Sequence, residues 1–301
     1  MELITKKTHI DFIRWRKLAF SFSIGLILLS LISLGVQGLN YGIDFSGGTL
    51  VQLRFPGPAP VGEIRKALSD LDLGDVVIQE FGRPEEILVR VERQEGQEAS
   101  SNQAQLAQRI VASLNGLAGE EGVELRRVEF VGPQVGEELT TKGIMAVLYS
   151  MIVILAYVAW RFELRFAYGA VLALIHDLAI TVGFFSLLQK EFTLVVVAAL
   201  LTVIGYSLND TIVVYDRIRE EMKRLKKEPM TLIINEAVNR VLARTLVTSL
   251  TTILVLVALI LFGGEVIHDF ALTLFLGVLV GTYSSIFVAS PMVLLMDRKG
   301  R

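Results

Sequence analysis

Residues 192–220 read FTLVVVAALLTVIGYSLNDTIVVYDRIRE, and the fold class turns on where that stretch is placed. Its first part, FTLVVVAALLTVI, is nearly uninterrupted apolar sequence of the kind that crosses a membrane as a helix. Asn209 and Asp210 then interrupt it. After a further short apolar stretch, Asp216, Arg217, Arg219 and Glu220 end it. A charged side chain facing lipid costs about 3 kcal/mol or more, so one inside a span points to a partner or a water-filled interior. On apolar length Asp210 sits about one or two turns from the inner end. That leaves a plainer reading, a residue reaching the interface together with Asp216.

The rest of the chain supports a polytopic membrane protein. Of its 301 residues 52% are hydrophobic, and mean hydropathy is positive, too apolar for a typical soluble protein. Six segments are long enough to cross about 30 Å of hydrocarbon, which takes roughly 20 helical residues. They are 18–36, 143–160, 166–188, 192–215, 245–262 and 270–296. The first follows Lys6, Lys7, Arg14, Arg16 and Lys17, as a secretory signal would. Its length, and the lack of a small-residue cleavage site after it, predict a retained anchor. With no cysteine and three histidines, thiolate sites are excluded and no metal-ligating set is predicted. A net charge of −2 gives no reason to expect a nucleic-acid partner.

Lys and Arg placement predicts orientation. With the N-terminus inside, the inner side collects the arm 1–17, Arg161, Arg165, the loop 216–244, and Arg298, Lys299 and Arg301 in the tail 297–301. The short outer loops hold only Lys190, in QKE, and neither Lys nor Arg in GGEVIHD. Both termini are expected in the cytoplasm, and 37–142 outside.

That outer segment alternates strand and helix patterns. TLVQLRF (49–55) reads as a strand and PVGEIRKALSDL (60–71) as an amphipathic helix. DVVIQEF (75–81) and EILVRVE (86–92) are strands joined by a turn at GRPE. SNQAQLAQRIVASLNGL (101–117) is a helix opened by Ser101 or Asn102, and VELRRVEFV (123–131) is a last strand. The order βαββαβ is that of a ferredoxin-like α+β domain. Two stretches flank it, YGIDFSGGTL (41–50) and FVGPQVGEELT (130–140). Gly47-Gly48 reads most simply as a tight turn. The sharper reading makes Asp44, Gly47, Gly48, Gly132, Pro133 and Gly136 a junction between domain and membrane. No Walker-type Lys-Ser/Thr follows the glycines, so a phosphate loop is not expected.

Within the spans, Ser207 precedes Asp210 by three residues, and Asn209 and Thr211 flank it. In 235–254, NEAVNRVLARTLVTSLTTIL, Arg244, Thr248, Thr251 and Thr252 recur at helical spacing as a polar stripe. Arg244 is expected at a depth similar to that of Asp210. An arginine keeps its proton, so it can hold an ionised carboxylate and re-bond elsewhere when the acid is protonated. The alternative for Arg244 is an inner-side topology anchor. His176-Asp177, in ALIHDLAIT, is a third polar site. Adjacent residues diverge on a helix, so at least one is expected to face the interior, and His176 is either a proton carrier or a satisfied core residue. The loop DRIREEMKRLKKEP reads as a solvated, charge-alternating helix face. No nucleophile with a supporting base stands out, so no enzyme is expected.

At these residues the chain resembles the SecD/SecF family of protein-export membrane proteins, within the resistance–nodulation–division superfamily. The stretches that carry it are YGIDFSGG, VGPQVGEEL, the HD of span three, GYSLNDTIVVYDRIRE and NEAVNRVLARTLVTSLTT, in topological order along nearly the whole chain. The resemblance implies a bacterial inner-membrane subunit that uses the proton gradient to assist late steps of polypeptide export. It implies that Asp210 is the proton-relay carboxylate and Arg244 its basic partner. Ser207, Asn209, Thr211, His176, Asp177, Thr248 and Thr252 are candidate polar support. It further implies an obligate SecD-like partner subunit, the SecYEG translocon, emerging unfolded preprotein and membrane lipids as partners. No cofactor is expected, and the coupling ion is H+, with Na+ as the alternative. The rival readings are half of a proton-coupled small-molecule or lipid exporter, and a passive translocon scaffold.

Overall fold

Apolar runs this long become helices because only a helix closes all its backbone hydrogen bonds where no water is available. The computed structural model describes residues 8–71, 73–74, 76–91 and 103–296. In chain order the elements are α1 (Arg16–Val36), α2 (Ile43–Ser46), β1 (Gly48–Arg54), α3 (Val61–Ser69), β2 (Val76–Phe81), β3 (Arg83–Val91), α4 (Gln103–Asn115), β4 (Glu124–Val131), α5 (Pro133–Arg161), α6 (Leu164–Leu187), α7 (Leu194–Arg224), α8 (Met230–Phe262), α9 (Glu265–Ser284) and α10 (Ser290–Leu295). They form two compact units, Met1–Asn40 with Met145–Arg301, and Tyr41–Ile144. Six helices are long and apolar enough to cross a membrane: Ile13–Val36, Pro133–Arg161, Leu164–Leu187, Leu194–Arg224, Met230–Phe262 and Val266–Leu295.

In the helical unit α6, α7 and α9 form the centre. Half of each of their apolar windows is buried, against 17% for α8 and 6% for the helix Pro133–Arg161. That helix therefore turns nearly all its apolar surface outward, with Ile144, Leu148, Ile152 and Val153 among its exposed residues. Close approach at the centre comes from Gly277 and Gly281, four residues apart on α9. A β-carbon at Gly277 would overlap the Val203 side chain, and one at Gly281 would sit 3.0 Å from Ser207 Cβ. This is the small-xxx-small device by which membrane helices pack backbone against backbone.

Three span boundaries differ from the sequence expectation. The helix expected over 143–160 begins at Pro133, a favoured first helical residue because its missing N–H would be unpaired there anyway. The charged loop 216–244 is mostly helix, since α7 runs on to Arg224 and α8 starts at Met230. The span expected over 270–296 is interrupted by a π turn, Ser285–Ala289. Pro291 lacks the N–H that a regular helix would use there, and a one-residue widening accommodates it. Ser290 donates its hydroxyl to the Ser285 carbonyl (2.7 Å), and the buried Tyr215 hydroxyl donates to the Ala289 carbonyl (3.1 Å).

The other unit is the ferredoxin-like α+β domain. Its four strands lie in the order β2-β3-β1-β4, every neighbouring pair antiparallel. Alternation puts Val51 opposite Val89 and Leu53 opposite Ile87, all fully buried. Ile64 and Leu68 of α3, and Ile110 and Leu114 of α4, complete that core. Strand β3 starts at Arg83 rather than at 86, because Gly82 adopts a positive φ of 71° and turns the chain tightly enough to pair Phe81 with Arg83. Lys6 and Lys7, Asp75, the expected helix opening at Ser101 or Asn102, and Arg298, Lys299 and Arg301 lie outside the described residues.

Candidate functional site

The most connected buried group is Asp177. Its Oδ1 lies 2.8 Å from His176 Nδ1. Its Oδ2 accepts hydrogen bonds from Ser207 on α7 (2.6 Å) and from Ser284 on α9 (2.8 Å). The other ring nitrogen of His176 is 3.1 Å from Ser23 Oγ on α1. Ser23 meets the Tyr283 hydroxyl at 3.1 Å, and Tyr283 donates to the Ala19 carbonyl at 2.9 Å. Asp177 thus ties four helices together in a chain of satisfied polar groups. Both members of the His-Asp pair face the interior, His176 at 3% exposure and Asp177 at none. The imidazole bridges the angular gap between adjacent helical positions by reaching back to its neighbour's carboxylate.

Asp210 lies one turn further along α7 and is differently placed. It is buried, at 4% exposure, yet its Oδ2 has no hydrogen-bond partner among the described residues. An unpaired buried acceptor costs about 1–3 kcal/mol, so Asp210 stores a cost that Asp177 does not. Ser249 on α8 and, at longer range, Arg244 act on its carboxylate. Ser249 also shares a 2.7 Å hydrogen bond with Thr282 on α9. Thr211 is buried beside Asp210. Asn209 and Arg244 are exposed, and no ion pair joins Arg244 to Asp210 among the described residues. Ser207, three residues before Asp210, is used by Asp177.

The threonine stripe on α8 is largely satisfied by its own helix. Thr248 donates to the Arg244 carbonyl (3.0 Å) and Thr252 to the Thr248 carbonyl (3.0 Å). The Tyr206 hydroxyl, 3.1 Å from Thr252 Oγ1, adds the link to α7. The charged extension of α7 is less solvated than its sequence pattern predicts. Glu221 is fully buried and paired with Arg217 (3.2 Å), Arg224 (2.6 Å) and Arg240 of α8 (3.0 Å). The charge alternation carries no sign of that burial, which follows from α8 folding back along α7.

The two stretches flanking the sheet domain meet within it. Asp44 lies in the short helix α2, and Gly47 and Gly48 take φ values of 72° and 118°, a backbone that side chains rarely tolerate. A β-carbon on Gly47 would lie 3.3 Å from Pro133 Cα and from the Val131 carbonyl oxygen. One on Gly136 would lie 2.8 Å from the Phe45 carbonyl oxygen. Gly136 also donates its N–H to the Gly132 carbonyl (3.0 Å), opening α5. Gly136→Val therefore forces the first turn of α5 away from α2. Thermal unfolding of the detergent-solubilised protein is expected to show a loss of about 1–3 kcal/mol, the usual cost of overpacking.

Ser23, Ser249, Thr282, Tyr283, Ser284 and Glu221 were not among the residues the sequence singled out for these roles. The available signal was the presence of hydroxyls in apolar helices, which find partners across helix contacts. Among the described residues no cluster of three His, Asp or Glu has metal-ligating geometry.

Comparison with known proteins places these features. Residues 112–299 match the family model described as protein export membrane protein SecD/SecF, C-terminal. Residues 32–55 match that of the SecD/SecF GG motif, which contains Gly47 and Gly48. A protein translocase subunit SecF from Magnetococcus marinus is 64% identical over 301 residues, covering 100% of this chain and 96% of the relative. One from Calditerrivibrio nitroreducens is 50% identical over 298 residues, covering 98% and 97%. The crystal structure of SecDF from Thermus thermophilus, a translocon-associated membrane protein, superposes with a TM-score of 0.85 at 38% identity. It covers 99% of this chain, which spans 40% of the SecDF chain's length. A super-membrane-facing form of SecDF gives 0.71 at 37% identity, with the same coverage.

Proposed function

The chain belongs to the SecD/SecF family of protein-export membrane proteins, as a SecF-type translocase subunit spanning the membrane several times, and we propose that it couples the proton gradient to late steps of polypeptide export. Asp210 takes up and releases the proton, and Arg244 follows its charge. The observation that carries this is the contrast between two buried carboxylates. Asp177 has its acceptors filled by Ser207, Ser284 and His176, whereas Asp210 keeps an unfilled oxygen. A group held at a cost in one state is relieved by protonation or by a partner, and such a group biases a two-state packing.

A SecD-like subunit supplies the other half of the conducting unit. The match to 40% of a longer SecDF chain and the outward apolar surface of the helix Pro133–Arg161 support that reading. The complex works beside SecYEG on emerging preprotein, in the bacterial inner membrane. Both termini are cytoplasmic, the sheet domain is periplasmic, and the subunit is not an enzyme and holds no cofactor.

The test uses inner-membrane vesicles with SecYEG and a SecD-like partner, with and without this chain. A precursor is driven most of the way across, ATP is removed, and release into the lumen is followed with the gradient on or off. The gradient is expected to speed release several-fold only when the chain is present. Equal gradient dependence without it would overturn the proposal, and equal loss with or without a gradient would favour the scaffold.

A further inference from the structure

Residues 8–15 do not trail away from the bundle; two asparagines one turn apart on α8 staple them to it. Asn239 accepts from the Ile10 N–H (2.9 Å) and donates to the Ile10 carbonyl (2.8 Å). Asn235 accepts from the Ile13 N–H (3.0 Å) and donates to Asp11 (2.7 Å). Phe12 and Ile13 are buried in the helical core. The staple fixes the start of α1 beside the start of α8. Between them lies an open groove of about 490 Å³, lined by Arg14, Arg16 and Lys17 on one side and by Thr231, Leu232 and Asn235 on the other.

Three cations line this groove against one acid, Asp11. That acid is already engaged, accepting from Asn235 (2.7 Å) and from the Arg14 N–H (3.1 Å). None of Arg14, Arg16 and Lys17 is ion-paired to a described residue. Like charges gathered without a counter-ion repel one another, so a fixed basic groove is a place for an anion. Its surroundings say which kind. Trp15 is 57% exposed, and Leu18 and Phe22 continue the exposed apolar surface down α1. A cationic groove continuous with an apolar helix face, marked by a tryptophan at their boundary, matches a ligand with an anionic head and an apolar tail.

We propose that this groove binds the phosphate headgroup of an anionic membrane lipid, its acyl chains lying along Leu18 and Phe22. The lipid supplies the charge that the arm lacks and pins the α1–α8 contact from outside. The site is separate from Asp210, and its test does not depend on the proton mechanism.

Trp15 reports on the site directly. The chain has two tryptophans, so Trp160→Phe leaves one. That variant is reconstituted into phosphatidylcholine vesicles, where part of the lipid is replaced by phosphatidylglycerol or phosphatidylcholine brominated on the upper acyl chain. Half-maximal quenching of Trp15 is expected at a several-fold lower fraction of brominated phosphatidylglycerol than of brominated phosphatidylcholine. Arg14→Gln, Arg16→Gln and Lys17→Gln together are expected to abolish that preference. Because those cations also guide insertion, Leu232→Glu is the second variant: it leaves the arm intact, puts a negative charge in the groove, and is expected to remove the preference as well. Equal quenching by both lipids in the parent protein would overturn the proposal. So would a preference unchanged by Leu232→Glu, which would mean diffuse attraction to the arm, or one abolished by millimolar inorganic phosphate, which would mean a free-anion site.

Discussion

Asp210→Asn is expected to reduce precursor release in cells depleted of their own copy to the rate seen without the protein. Insertion and partner association are expected to stay normal. The substitution is nearly isosteric, so the buried neighbours of Asp210, Thr211 among them, keep their packing around a side chain of the same shape. What disappears is the capacity to exist in two charge states. The structural cost is small because the site is already under-satisfied: Oδ2 has no partner to lose, and the new amide adds at most an unpaired donor, about 1–3 kcal/mol. A pulse-chase of secretory precursors, with the subunit quantified in the same membranes, separates the two effects. Full release with Asp210→Asn would return the carboxylate to a purely structural role.

Asp177→Ala is expected to act in the opposite way, on stability first. Removing this carboxylate leaves His176, Ser207 and Ser284 buried without their shared acceptor. Breaking a buried charged hub by removing one member typically costs about 3–5 kcal/mol. The purified variant is expected to unfold at markedly lower temperature or denaturant, and to accumulate poorly in cells. Asp177→Asn keeps one carbonyl acceptor and is expected to lose less than half as much. A Ser207→Ala, Ser284→Ala double-mutant cycle in both backgrounds measures how the loss is shared. Wild-type stability in Asp177→Ala would mean that the four-helix connection contributes nothing.

The two aspartates show what the sequence could and could not convey. Span number was legible because about 20 apolar residues in a row have few alternatives. The sheet domain was legible because Val51, Leu53 and Phe55 alternate with Gln52 and Arg54, as Val89 and Val91 do about Arg90, and alternation dictates a strand face. Partner choice was not. Spacing on α7 put Ser207 with Asp210, but its hydroxyl turns to Asp177 across the contact between α6 and α7. That contact is a property of two helices, and no single periodicity contains it. His176 and Asp177 were separated by helical geometry, yet a ring nitrogen spans the gap. Glu221 looked like one of many surface charges, and only the fold-back of α8 surrounds it with Arg217, Arg224 and Arg240. Near the N-terminus, Asn235 and Asn239 offered no signal beyond helical spacing, because their partners are backbone groups more than two hundred residues away.

Proton movement through the reconstituted pair decides whether Asp210 is the coupling group. The chain and its SecD-like partner are incorporated into liposomes holding a pH-sensitive dye, and a potassium diffusion potential is imposed. Wild type is expected to carry protons inward at a rate above protein-free liposomes, and Asp210→Asn, at equal protein content and orientation, at the protein-free rate. An Asp210→Asn complex that conducts protons as the wild type does would show that the gradient is not coupled through this carboxylate.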